Sequence, residues 1–129
     1  MKRSPIFVRT HDLLLWLLPQ TAKFPREQRF ALTQAVQQTA MGIQERLIEA
    51  GVHRGKDRLG LLQQADVELV KLKAHLLLCQ DMGLLTVRQY EHASRLLLEV
   101  GKLLGAWLEK ERKTWPGNAA GNGSPLGMG

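Results

Sequence analysis

The chain predicts an all-α fold, an antiparallel up-and-down four-helix bundle, on three observations. Apolar residues recur at spacings of three and four through four long segments, and no segment alternates with the period of two that marks a strand. Leucine dominates a hydrophobic content of 44%, whereas aromatics are only 5%, so the core is built from aliphatic stripes. The segments are joined by short Pro- and Gly-containing links, which make successive helices antiparallel neighbours. At 129 residues the chain is one domain, long enough to bury a core.

Helix one is expected over residues 5–23. Pro5 suits a first turn, where its missing N–H is not needed, and Pro19 frees the carbonyl of Leu15, kinking the helix without ending it. Leu14, Leu17 and Leu18 face the core, with Trp16 toward its edge. Phe24-Pro25 breaks the chain and Pro25 opens helix two, residues 25–50. Its core stripe is Leu32, Val36, Ala40, Ile43 and Leu47, and Gly51 ends it. The connection 51–57 is polar and basic, with Asp57 placed to cap helix three, residues 58–82. Leu62, Ala65, Leu69, Leu72 and Leu76 form that helix's core stripe, and Gly83 closes it. Thr86 followed three residues later by Gln89 fits a capping box, so helix four is expected over 87–113, with Tyr90, Ala93, Leu97, Val100, Leu104 and Trp107 on its buried face. Residues 1–113 thus make the bundle. Residues 114–129, rich in Gly, Asn and Pro, read as a disordered tail.

A second ridge on helix four, Leu98, Gly101, Gly105 and Leu108, carries two glycines four residues apart. Each glycine costs roughly 0.5–1 kcal/mol in a helix interior relative to alanine, so another backbone is expected to approach closely there. That backbone belongs either to the same bundle or to a neighbouring subunit.

Charge and chemistry narrow the function. The formal charge is +6 with a pI near 9.9, which favours an acidic partner, most simply nucleic acid. The excess gathers near the N-terminus and the end of helix four. Local basic groups are Arg54, Lys56 and Arg58 in the 51–58 connection and Lys71, Lys73 and His75 on helix three. With no aromatic platform or base-reading motif, contact is expected with phosphates, salt-sensitive and weakly sequence-selective. A di-iron bundle site would need Glu-x-x-His pairs, but Val8, Ala50, Leu72 and Gln89 stand three residues before the four histidines. No metal, cofactor or catalytic group is therefore expected, and Cys79, on a Leu-rich turn, reads as a small buried hydrophobe. One cysteine excludes an internal disulfide and fits a reducing cytoplasm. The six-residue apolar run Leu13–Leu18 is too short for a signal peptide or a membrane span.

The string T-x-x-Q-x-E-x-A-x-x-L-x-x-E-V-G-x-x-L-G-x-W, Thr86 to Trp107, resembles the last helix of the accessory variability determinant (Avd) of diversity-generating retroelements. The resemblance spans residues 8–112. More loosely, Phe24 to Thr33 is similar to the F-P-x-E-x-x-x-L-T opening of helix two in the four-helix-bundle proteins encoded in 23S rRNA intervening sequences. Their following S-I-P-x-N-I-x-E-G stretch is replaced here by residues 42–47, without proline. The Avd resemblance implies a non-enzymatic bundle that assembles as a basic homopentameric barrel. It also implies binding of a reverse transcriptase and its template RNA or cDNA, in support of mutagenic copying of a template repeat. Basic positions of helix three in that family fall near Lys71 and His75 here. The looser resemblance implies the same fold with a structural or RNA-associated role and no reverse-transcriptase partner.

Overall fold

The structure, a computed structural model, describes residues 4–114. It is a four-helix bundle: α1 Pro5–Ala22, α2 Gln34–Val52, α3 Gly55–Asp81 and α4 Val87–Thr114. Among the described residues there is no strand. Helix α1 packs against α2 and α4, and α3 packs against the same two, so the helices close around one core. The expected tail lies outside the described residues, apart from Thr114, which ends α4.

In α1, Pro5 occupies the first turn and Pro19 lies inside the helix, which continues to Ala22. Leu13, Leu14 and Leu17 are buried and Leu18 is half-buried, while Trp16 sits at the edge of the core 4.8 Å from the His92 ring. Polar contacts hold α1 in place, one within the helix and two to its neighbours. Arg9 pairs with Asp12 at 3.0 Å and with Glu99 of α4 at 3.1 Å. Gln37 of α2 donates to the Thr21 hydroxyl at 3.0 Å.

Helix two departs from expectation at both ends. Between Pro25 and α2 the chain makes a 3-10 turn, Arg26–Gln28, and then a π turn, Arg29–Thr33. The π turn holds one residue more per turn than an α-helix. It leaves Phe30 86% exposed and the buried Thr33 hydroxyl without a hydrogen-bond partner. At the other end α2 runs past Gly51 to Val52. Gly51 lies beside the Phe7 ring, 3.6 Å from where a Cβ would stand, an ordinary van der Waals contact.

Helix three starts at Gly55, three residues before the expected start. His53 and Arg54 are extended and Gly55 has φ +57°, so the chain reverses within two residues. Asp57 consequently lies in the first turn, where its charge favours the helix dipole, and is not the cap. The far end matches: Gly83 adopts φ +78°, the left-handed conformation that glycine takes without strain. The capping box of α4 is present in both directions. Gln89 N–H donates to Thr86 Oγ1 at 3.1 Å and Thr86 N–H to Gln89 Oε1 at 2.9 Å.

The predicted stripes of α2 and α3 are all buried. So are Ala93, Leu97, Val100 and Leu104 of α4, with Tyr90 and Trp107 half-buried at its edge. Cys79 is fully buried, and burial pushes its thiol from 9.0 up to about 11. No helix among the described residues is long and apolar enough to cross a membrane.

Candidate nucleic-acid interface

The basic residues singled out by sequence fall into two places. Lys71 and Lys73 are two apart on α3, hence about 160° apart around a helix of 3.6 residues per turn, and do not form one patch. Lys71 is occupied by Glu68 at 3.1 Å, Lys73 is exposed on the opposite edge, and His75 is half-buried.

The second place is one end of the bundle. Here the C-terminus of α2, the N-terminus of α3 and the C-terminus of α4 meet around an open depression of about 430 Å³. Arg54, Gly55, Lys56, Asp57, Glu111 and Thr114 line it. The sequence brings them together because α3 and α4 are antiparallel neighbours of nearly equal length, 27 and 28 residues. Arg54 and Lys56 are exposed, and neither enters an ion pair among the described residues. The N-terminal amides of α3 point the positive end of that helix the same way.

Arg58 does something else. Its Nε donates to the Ala50 carbonyl at 2.8 Å, its Nη1 lies 3.6 Å from Glu111, and its guanidinium sits 5.8 Å from the centre of the Trp107 ring. The side chain thus joins α2, α3 and α4 and is committed to the fold. Glu111 is only 7% exposed, and its spacing of four from Trp107 and three from Leu108 continues the buried stripe of α4. Lys110, Arg112 and Lys113 stand on the same final turns of α4, with Lys113 at 3.8 Å from Glu109. Residues 54–58 and 109–113 together place six basic side chains against three acidic ones at this end.

The glycine ridge of α4 is split by the structure. Leu98 and Gly105 are exposed and Gly101 half-buried, whereas Leu108 is 5% exposed and belongs to the core. Leu108 follows Leu104 by four residues and so shares its buried face, which corrects its assignment to an outer surface. A Cβ at Gly101 or Gly105 would meet no atom within 4 Å, so no backbone among the described residues makes the close approach. Among the described residues no cluster of three His, Cys, Asp or Glu side chains could hold a metal.

Comparison with curated proteins finds no match. Among solved structures, the chain is similar to a protein of unknown function from the S23 ribosomal protein family of Bacteroides thetaiotaomicron VPI-5482. The TM-score is 0.70 at 18% identity, over 80% of this chain and 97% of that one, which is a likeness of fold. The bAvd-like family model matches residues 6–111, all four helices and their connections, and the chain belongs to that family.

Proposed function

We propose that the protein is a non-enzymatic accessory factor of a diversity-generating retroelement, which self-associates and binds a reverse transcriptase and nucleic acid through its basic surface. The observation that carries the reading is the family match over residues 6–111. The resemblance sets the expected assembly at five copies, and five chains at +6 each would carry +30, a field strong enough to attract RNA or DNA without a specific pocket. Within one chain the basic end supports phosphate contact best: Arg54 and Lys56 are in no ion pair among the described residues, and Lys110 and Arg112 stand close by in sequence to the Glu111 and Thr114 lining. Lys71, Lys73 and His75 form a weaker candidate, because they are spread around α3.

The test is binding to template RNA and to the candidate polymerase, with and without nuclease. Affinity for RNA should fall steeply between about 50 and 200 mM salt, because releasing condensed counterions into a saltier solution is less favourable. Arg54→Glu with Arg112→Glu should weaken binding at least tenfold at unchanged helicity, whereas Lys71→Glu with Lys73→Glu should weaken it less. Salt-independent binding refutes the electrostatic reading. Failure to capture the polymerase under any condition, with RNA still bound, favours the intervening-sequence type of role instead.

A further inference from the structure

One aromatic ring stands out in solvent at the end of the bundle away from Arg54 and Lys56. Phe30 is 86% exposed, more than any other large apolar residue described. The π turn that carries it, Arg29–Thr33, is a rare backbone form that recurs at functional sites. The same turn leaves the buried Thr33 hydroxyl unbonded, so the ring is held out at a cost in stability. The surrounding sequence is basic. Residues 23–30 hold three basic residues and one acidic, and Lys23 and Arg26 are exposed and in no ion pair among the described residues. Lys23 also lines a cleft of about 280 Å³ between the C-terminus of α1 and the N-terminus of α4, with Gln20, Phe24 and Gln89, and no acidic residue lines it. The side-chain oxygens of both glutamines already accept hydrogen bonds, that of Gln89 from the Thr86 N–H at 2.9 Å and that of Gln20 from the Gln89 amide at 3.4 Å. The cleft is left to offer N–H donors and a positive charge, which suit phosphate oxygens.

We propose that the 23–30 segment is a second nucleic-acid contact, selective for unpaired strands, in which Phe30 stacks on a base while Lys23 and Arg26 hold the flanking phosphates. An exposed ring beside cations grips a single strand without regard to sequence, because every base has a flat face. A duplex hides those faces within its own stack, so the ring separates single strands from double ones. A protein partner could also bury the ring, but the basic sequence around it and the donor-lined cleft match a polyanion better. The 27 residues of α3 put the site about 40 Å from the basic depression, so the two contacts are separate. The proposal rests on the nucleic-acid binding proposed above and adds to it a preference for unpaired template or cDNA.

Fluorescence anisotropy tests it with three labelled probes of about 16 nucleotides: oligo(dT), an abasic strand with the same phosphates, and the oligo(dT)·oligo(dA) duplex. The wild type should bind oligo(dT) about tenfold tighter than the abasic strand. Phe30→Ala should remove that advantage at unaltered helicity and number of chains, leaving the abasic strand and the duplex bound as before, whereas Phe30→Tyr should keep it. Stacking releases no counterions, so Phe30→Ala should not change the salt slope. Lys23→Gln with Arg26→Gln should reduce that slope by about 1.4 on both single strands, two phosphate contacts being lost. Unaltered affinity of Phe30→Ala for oligo(dT), or an equal loss on the abasic strand, overturns the proposal. So does a change in the number of chains, because another copy then covers the ring. Should Phe30→Ala lose helicity, the wild type decides alone: equal affinity for oligo(dT) and the abasic strand overturns the site. A wild type that binds none of the probes overturns the nucleic-acid reading as a whole. Binding that survives Phe30→Ala yet falls with Arg54→Glu and Arg112→Glu overturns this site only.

Discussion

Replacing Arg58 by methionine separates the two halves of its role. Methionine keeps an apolar stem against Trp107 but removes the donor to Ala50, one of the last carbonyls of α2, which has no partner within that helix. A hydrogen bond from a charged donor contributes about 1.5–3 kcal/mol. The change also leaves the Glu111 carboxylate, whose side chain is 10% exposed, without its cation. Breaking a fully buried pair costs about 3–5 kcal/mol, but the contact here is long, at 3.6 Å, and Arg58 is 25% exposed, so its share falls below that range, to a few tenths of a kcal/mol. Together these give a loss of about 2–3 kcal/mol, or roughly 10 °C in Tm for a domain of this size. Glu111→Leu should cost about 1 kcal/mol or less, because Arg58 keeps its bond to Ala50 and reaches water. The double variant Arg58→Met/Glu111→Leu should then be more stable than Arg58→Met alone, since no charge is stranded. Urea unfolding followed by helicity at one fixed protein concentration measures all three. An Arg58→Met variant within 0.5 kcal/mol of wild type, or a double variant less stable than either single one, refutes the account of this junction.

Thr86→Ala removes the hydroxyl that accepts from the Gln89 N–H and should lower stability by about 1 kcal/mol, read as a Tm drop of roughly 4 °C. Cys79 should resist alkylation in the native protein at pH 8 and react only on unfolding. Because its folded thiol lies at about 11 against 9.0 for the free group, the folded state holds the proton more tightly. Its contribution is therefore whole below pH 9 and lost as pH rises from about 9 to 11, a slope that Cys79→Ala should flatten in urea titrations. Leu104→Asp, at a fully buried position, should abolish cooperative unfolding by stranding a charge in the core.

The core was legible because one periodicity governs it: the stripes read at spacings of three and four in α2, α3 and α4 are buried nearly without exception. What escaped was information that local spacing does not carry. Arg58 and Glu111 are 53 positions apart, and only the antiparallel return of α4 beside α3 brings them together. Lys71 and Lys73 look like one patch along the chain, yet a helix sets them on opposite edges of its outer face. Leu108 was grouped with Gly105 by a spacing of three, although its spacing of four from Leu104 decides where it points. An exposed apolar row on α3, by contrast, could have been read from Val67, Val70, Ala74 and Leu77, whose regular spacing was overshadowed by the leucines of the core stripe.

The π turn at Arg29–Thr33 bears on how this helix tolerates change in length. A surplus amino acid is already stowed in that wide coil, with Phe30 pushed out into water and a threonine oxygen left idle beneath. Excising one position there would tighten the coil to ordinary pitch while everything downstream kept its phase, from Val36 through Leu47. Most single deletions inside a helix turn its greasy side by about 100° and wreck the packing. At this one place a shortened relative could lose a residue and come out firmer.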